Sequence, residues 1–208
     1  MIRKSAAKPR KQPLQGRSRE TFGAILEATA RILEAEGLEA ANTNAIAARA
    51  GVSIGSLYQY FPDKAAIFAE LIRQAESGLG DMLEILLART AGQALEERLR
   101  LLVKAGVAQQ MERPQLGRIL DYLEAASPAD PLLKAADERI LRLIMRLLQE
   151  HADSIARPVT PATALDLLSI VKGMVDGASF AGETKAAALE RRVMLAVLGY
   201  LREVEEPY

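Results

Sequence analysis

The most regular apolar pattern in the chain lies near its start. Phe22, Ile25, Leu26, Ile32 and Leu33 recur at spacings of three and four residues, the period of one helix face. Thr29 fills the gap in that stripe with a methyl and a hydroxyl, and Gly37 stands where a C-terminal cap belongs. Asn42 then offers an N-cap to a short helix over 43–50, with Ile46, Ala47 and Ala50 turned inward and Gly51 as its stop. Ser53 caps a third helix over about 54–60. Pro62 ends it, because proline has no N–H and disfavours helical geometry in the residue before it. Asp63 caps a fourth helix that opens at Lys64.

Beyond this point the pattern stays helical. It predicts spans of 64–88 (loosened at Gly78 and Gly80), 93–112, 115–126, 131–155, 161–181 and 184–203. Pro114, Pro128, Pro131, Pro158 and Pro161 punctuate the joints, and Gly182 precedes the last helix. Nothing reads as paired strands or as a repeat of fixed period. The expected fold class is all-α, with about nine helices: an N-terminal three-helix head and a larger C-terminal helical body.

Composition narrows the chemistry. Half of the 208 residues are hydrophobic and about a quarter are charged, which fits a globular chain. There is no cysteine, so disulfides, thiol nucleophiles and zinc ribbons are excluded. The single histidine, His151, leaves little room for a histidine metal cluster, and no cofactor or metal is expected. It reads as a surface residue near a helix end, favourable for the helix dipole. The N-terminus carries no apolar run of the roughly 18 residues that span a bilayer. The chain therefore reads as cytoplasmic and soluble, with no membrane partner. Its net charge is zero, yet Arg3, Lys4, Lys8, Arg10, Lys11, Arg17 and Arg19 crowd the first 19 residues with no acid among them. That is the composition of a flexible basic arm that meets a polyanion, or of a solubilising tail.

The stretch AGVSIGSLYQYFPDK holds three of the nine aromatic residues, Tyr58, Tyr60 and Phe61, within four positions. The helices on either side of Gly51-Val52-Ser53 are too short to be stable alone and must pack on each other and on the first helix. A helix-turn-helix does this, and offers its second helix to the major groove of DNA. At 100° per residue, Leu57 and Phe61 face inward while Gly55 and Gln59 face outward, with Ser56 and Tyr58 on the flanks. Glycine costs about 1 kcal/mol against alanine inside a helix, but it lets a backbone approach base edges. Gln59 would present donor and acceptor together to adenine. The hydroxyls of Thr43, Tyr58 and Tyr60 and the ammonium of Lys64 would reach phosphate. Tyr60 also reads as a half-buried packing residue, and Ser53 as a cap before it is a reader.

Across roughly 18–72, TNAIAARAGVSIGSLYQYFPDKAAIFAELI resembles the DNA-binding segment of the tetracycline-repressor-like (TetR) family of bacterial transcriptional regulators. Ile46-Ala47, Ala50-Gly51-Val52-Ser53, Gly55, Leu57-Tyr58, Tyr60-Phe61 and Lys64 carry the likeness. Beside a flexible arm over 1–16, read from its prolines, glycine and lack of apolar periodicity and longer than the family fold requires, it implies a DNA-binding domain over 17–63 and a ligand-binding and dimerisation domain over 64–208. It also implies that Thr43 touches phosphate, that Ile54, Gly55 and Gln59 face base edges, and that Ser56, Tyr58, Tyr60 and Lys64 lie along the backbone. Two positions depart from the common pattern. Asn42 stands where serine or threonine is usual. Ile54 replaces a frequent polar or basic residue, and either meets a thymine methyl or leans on Leu57. The basic arm would be free to enter a minor groove.

One recognition helix covers few base pairs, so a homodimer on a palindromic operator is expected. Gly173, Gly177 and Ala181 form a row of small side chains that suits close helix approach between subunits, or close packing within one. Leu165, Leu168, Val171 and Val175, with Leu195, Leu198 and Tyr200, supply the apolar part of a four-helix interface. In the family the middle helices enclose an effector pocket. Met82, Leu86, Met111, Tyr122, Met145, Met174 and Phe180 are the candidates here, since methionine adapts to irregular apolar shapes; each also reads as ordinary core. The expected effector is a mostly apolar small molecule. The resulting reading is a repressor released from its operator by that effector. The alternatives are a regulator of the same fold without an effector, an activator, and, remotely, a helical enzyme.

Overall fold

The structure is a computed structural model that describes residues 16–126 and 131–202, with side chains for 18–126 and 138–202. The arm expected over 1–16 lies outside the described residues, save Gly16. The described residues form nine α-helices and one 3-10 turn, without a strand. In order these are α1 Gly16–Glu36, α2 Thr43–Ala50, α3 Ile54–Tyr60, α4 Lys64–Arg89, α5 Leu95–Glu112, α6 Pro114–Ala125, α7 Pro131–Glu150, α8 Pro161–Phe180 and α9 Ala186–Arg202, with the 3-10 turn at Ala152–Ser154 between α7 and α8.

The capping residues explain most of these boundaries. Gly37 sits at φ 81° and Gly51 at φ 68°, left-handed conformations that suit glycine. Asn42 Oδ1 accepts from the Ala45 N–H at 3.0 Å, Ser53 Oγ from the Ser56 N–H at 3.0 Å, and Asp63 Oδ1 from the Ala66 N–H at 2.9 Å. Thr29, fully buried in the α1 stripe, satisfies its hydroxyl by donating to the Ile25 carbonyl at 2.7 Å.

Two expectations need correction. The helix expected over 131–155 stops at Glu150, where the chain tightens into a 3-10 turn closed by Ser154 N–H to His151 C=O at 2.9 Å. The loosening expected at Gly78 and Gly80 does not occur, since α4 runs through both. Gly80 instead makes room for Arg139, whose guanidinium would lie 3.3 Å from a Cβ at that position. Arg139 donates to Asp81 at 2.7 Å and to Glu84 at 2.5 Å.

The chain divides into two compact units. The first takes in the residues up to Ala75 together with Gln115–Lys134. Its core joins Phe22, Ile25 and Leu33 of α1, Ile46 of α2, and Leu57 in the middle of α3 to Phe61, which follows α3. The start of α4 adds Ile67, Phe68 and Leu71, and α6 adds Leu116 and Leu120. The boundary expected after residue 63 is thus a change of helix within one core. Phe61 stacks on Phe22 at 4.9 Å between ring centroids, and Tyr60 meets the edge of Phe22 at 6.1 Å.

The second unit comprises Glu76–Pro114 and Ala135–Tyr208. In it α5, α8 and α9 pack together, joined by α7 and the later turns of α4. Arg98, 3% exposed, is its polar joint. Its guanidinium donates to Glu150 at 2.6 Å, to the Leu87 carbonyl at 3.1 Å and to Thr90 Oγ1 at 3.4 Å. The same guanidinium lies 3.2 Å from His151 Nε2, and because arginine only donates, that ring nitrogen must be the acceptor. One buried cation therefore ties the end of α4 and the end of α7 to the start of α5.

The hydrogen bond from Arg98 is the first cause that holds the Glu150 carboxyl below its ordinary range. A depressed carboxylate contributes stability above its unfolded value, near 4.3, and loses it as pH falls through the folded value. Glu150 is 44% exposed, so screening keeps the contribution to about 1 kcal/mol or less. Glu150→Gln is expected to lower stability in urea melts at pH 7, with the deficit shrinking as pH falls below about 4. A deficit constant across that range would place its origin elsewhere.

Candidate nucleic-acid interface

The turn Gly51-Val52-Ser53 sets α3 across α2, and the burial of Leu57 and Phe61 fixes which side of α3 faces out. Gly55 and Gln59 are exposed on that outer side, one helical turn apart. Ile54 is 38% and Tyr58 41% exposed beside them, Ser53 and Lys64 are exposed, and Ser56 is half-buried. The residues proposed to meet DNA at α3 thus share one surface. Ser53 works as the cap of α3, and its hydroxyl also pairs with Ser56 Oγ at 2.8 Å.

Both recognition-helix tyrosines are tied to other helices by hydroxyl–hydroxyl hydrogen bonds. Tyr58 pairs with Thr43, the first residue of α2, at 3.3 Å. Tyr60 pairs with Ser18, in the first turn of α1, at 3.1 Å. Ser18 was not anticipated, because nothing local in the sequence marks a partner 42 residues away. In a pair of this kind one hydroxyl donates to the other, and the acceptor keeps its own hydrogen for a further partner. The Tyr60 ring is half-buried against Phe22, so this residue packs as well as presenting its hydroxyl.

The second unit contains a partly open apolar cavity of about 100 Å³. Leu79 and Leu83 of α4 face Leu99, Leu102, Val103 and Gly106 of α5 across it. Ile140, Ile144 and Leu147 of α7 close another side, and Leu167, Leu168 and Val171 of α8 with Val197 of α9 complete the wall. No polar surface lines it. None of the seven candidates drawn from the sequence does so either. Met82 and Phe180 are exposed, Leu86, Met111, Met145 and Met174 are half-buried, and Tyr122, 61% exposed, belongs to the first unit. His151 is likewise absent from the wall; it is half-buried against Arg98.

The residues proposed for dimerisation divide between two faces. Leu165, Ser169, Gly173, Gly177 and Ala181 follow one another at intervals of four along α8, and all are exposed. Beyond their own stretch of helix, nothing lies within 4 Å of where a Cβ would sit at Gly173 or Gly177, so close packing within the subunit does not explain them. Leu195 of α9 is 68% exposed. Val175, by contrast, is buried in the unit's own core, Leu168 and Val171 line the cavity, and Leu198 is partly buried against that core. Tyr200 donates to Asp166 at 2.5 Å and lies under the Arg157 guanidinium at 3.6 Å. Among the described residues no cluster of histidines and carboxylates could hold a metal ion, and no helix is long and apolar enough to cross a membrane.

A family model for bacterial regulatory proteins of the tetR family matches residues 25–71, and a tetracyclin repressor-like C-terminal domain matches 94–201. The chain belongs to the TetR family. It is a DNA-binding transcriptional regulator, and proteins of this family are not enzymes and act as dimers. It is 24% identical over 190 residues to the HTH-type transcriptional regulator AcrR of Shigella flexneri, covering 87% of this chain and 88% of that one. It is 32% identical over 131 residues to the nucleoid occlusion factor SlmA of Pectobacterium carotovorum, covering 61% of this chain and 65% of that protein. The TetR fold is shared with the fatty acid degradation regulator FadR of Bacillus halodurans, with a TM-score of 0.75 at 21% identity over 93% of this chain and all of that one. Thermus thermophilus FadR, solved with lauroyl-CoA, has a TM-score of 0.63 at 21% identity over 90% and 98% of the two chains.

Two outcomes follow for the head of this TetR-family regulator. A Cβ at Gly55 would meet only Ser53 Oγ, at 3.8 Å, so Gly55→Ala fits the free protein and adds helix propensity worth up to about 1 kcal/mol. It is expected to melt no lower than wild type while binding its operator at least tenfold more weakly. Unchanged affinity would remove the close-approach role of the glycine. Tyr58→Phe is expected to weaken binding to specific and scrambled DNA by the same factor, because phosphate contacts carry no sequence information. Tyr60→Phe should cost less, since the Tyr60 ring retains its packing on Phe22. Fluorescence anisotropy on both DNAs reads these effects, and a loss confined to the specific DNA would reassign the tyrosine to base reading.

Proposed function

We propose that this regulator is a homodimeric repressor, acting in the cytoplasm, that leaves a palindromic operator when a mostly apolar small molecule enters its C-terminal unit. The observation that carries the effector reading is the cavity, whose wall is apolar throughout. Folded interiors are close-packed, and an unfilled volume is destabilising. A void bounded by five helices, one of them shared with the DNA-binding unit, is a place where a ligand would bias the head through α4. The FadR complex with lauroyl-CoA supports an effector with a hydrocarbon portion.

The exposed row on α8 and Leu195 on α9 would pair with the same row of a second subunit, setting two copies of α3 on half-sites 34–36 Å apart or a multiple of that. Ile54, Gly55 and Gln59 would then face base edges, while Thr43, Ser56, Tyr58, Tyr60 and Lys64 would meet the backbone. The effector must bind the state released from DNA more tightly, because equal affinity for both states shifts nothing.

A second reading has an observation of its own. The cavity is smaller than the 300–1,000 Å³ of ordinary ligand sites, and the SlmA relatives are named for nucleoid occlusion. A regulator whose body contacts a protein and takes no effector would fit both facts.

The test is anisotropy of wild type and Gln59→Ala on DNA from beside the protein's own gene and on scrambled DNA, at several salt concentrations. Wild type is expected to prefer its own DNA, and Gln59→Ala to lose about 1–3 kcal/mol of that discrimination. The complex is then titrated with apolar small molecules. Release from the operator supports the effector reading. A ligand that binds free and DNA-bound protein equally sinks it, and a complex that no apolar compound dissociates favours the second reading.

A further inference from the structure

The four α5 residues on the cavity wall are Leu99, Leu102, Val103 and Gly106, spaced as i, i+3, i+4 and i+7. That spacing is one face of a helix, so a side chain at 106 would point the same way as the three apolar ones before it. Glycine is among the weakest helix formers, and Gly106 lies well inside a helix running from Leu95 to Glu112. No turn requires it, as the chain's positive-φ glycines are elsewhere. No close neighbour requires it either: beyond its own stretch of helix, nothing lies within 4 Å of where its Cβ would be. Gly80, which admits Arg139, and Gly51, which turns the chain, have reasons of those kinds. Gly106 has neither, and what it does is leave space.

We propose that Gly106 is the residue that sets the size of the effector cavity, and that the space it leaves receives the end of a hydrocarbon chain whose polar part stays outside. This rests on the effector reading above and specifies it. The wall offers no donor or acceptor, so any polar group brought inside would lose its hydrogen bonds to water without replacement. At about 100 Å³ the space is below the 150 Å³ of an engineered apolar cavity that takes benzene. A few terminal carbons fit; a whole effector does not. A leucine at 106 would fill the void from the α5 side with the same kind of group that forms the rest of the wall.

The probe is 1-hexanol, a neutral chain with one small polar end, titrated calorimetrically into the full-length protein. Wild type is expected to bind it. Gly106→Leu is expected to bind at least tenfold more weakly and to melt higher. If leucine overfills the site and the variant fails to fold, Gly106→Ala supplies the reading, with a higher melting temperature and a several-fold loss of hexanol affinity. Wild type and Gly106→Ala or Gly106→Leu binding hexanol alike would overturn the role of Gly106 and leave the effector reading standing. Wild type that binds no hexanol, alongside variants that melt higher, would make the cavity a packing gap and overturn both.

Discussion

The proposed reading of DNA by this chain rests on a helix that cannot stand alone. At seven residues, α3 is about half the length at which an isolated helix becomes even marginally stable in water. It is held by what it buries. Leu57 has no exposed surface, and Phe61, which ends the helix, stacks on Phe22 of α1. These contacts fix the rotation of α3 about its own axis, and that rotation decides which residues reach a groove. Turned by a single residue, the helix would present a different set and bury Gln59 or Gly55. The hydroxyl pairs of Tyr58 with Thr43 and of Tyr60 with Ser18 add a finer constraint, because each places a polar tip relative to a second helix.

The second unit solves a different problem. Its helices leave a space among them, where close packing would ordinarily close it. The polar joint at Arg98 bears on this, because Leu99 of the cavity wall follows it directly in α5 and Leu87, whose carbonyl it binds, lies one turn beyond Leu83. A buried guanidinium with four partners resists displacement, since a shift would leave donors unsatisfied in a place water does not reach. The ends of α4, α5 and α7 are fixed by hydrogen bonds, and the cavity lies among their apolar faces.

How much of this the sequence disclosed depended on the range of the interaction. Caps are local, so Asn42, Ser53 and Asp63 were readable from neighbours three residues away, and the boundaries of α2 and α3 followed. The inward and outward faces of α3 were readable for the same reason. A cavity is different. It is the difference between the volumes of five helix faces and the space they enclose, and a Leu beside a void has the same local pattern as a Leu in a filled core. Methionines and aromatics do not mark it, and its wall is built of ordinary leucines, isoleucines and valines with one glycine. The division of α8 was legible in principle. Leu165, Gly173, Gly177 and Ala181 lie on one four-residue register, to which Leu168, Val171 and Val175 do not belong, and only the first set is exposed. The early end of α7 had no such signal, as no glycine or proline precedes Pro158 in that stretch.

The core of the first unit is not continuous in sequence. Leu116 and Leu120 of α6 pack with residues from α1 to the start of α4, although an entire intervening helix, α5, belongs to the other unit. The unit that carries α3 is therefore finished late. On a ribosome adding about 5–20 residues per second, the head waits several seconds after Ala75 emerges before α6 can cover it. Its apolar flank is open during that interval. The same arrangement means that a DNA-binding segment transplanted from this chain by cutting within α4 would carry the reading surface but leave behind two of the leucines that complete its core.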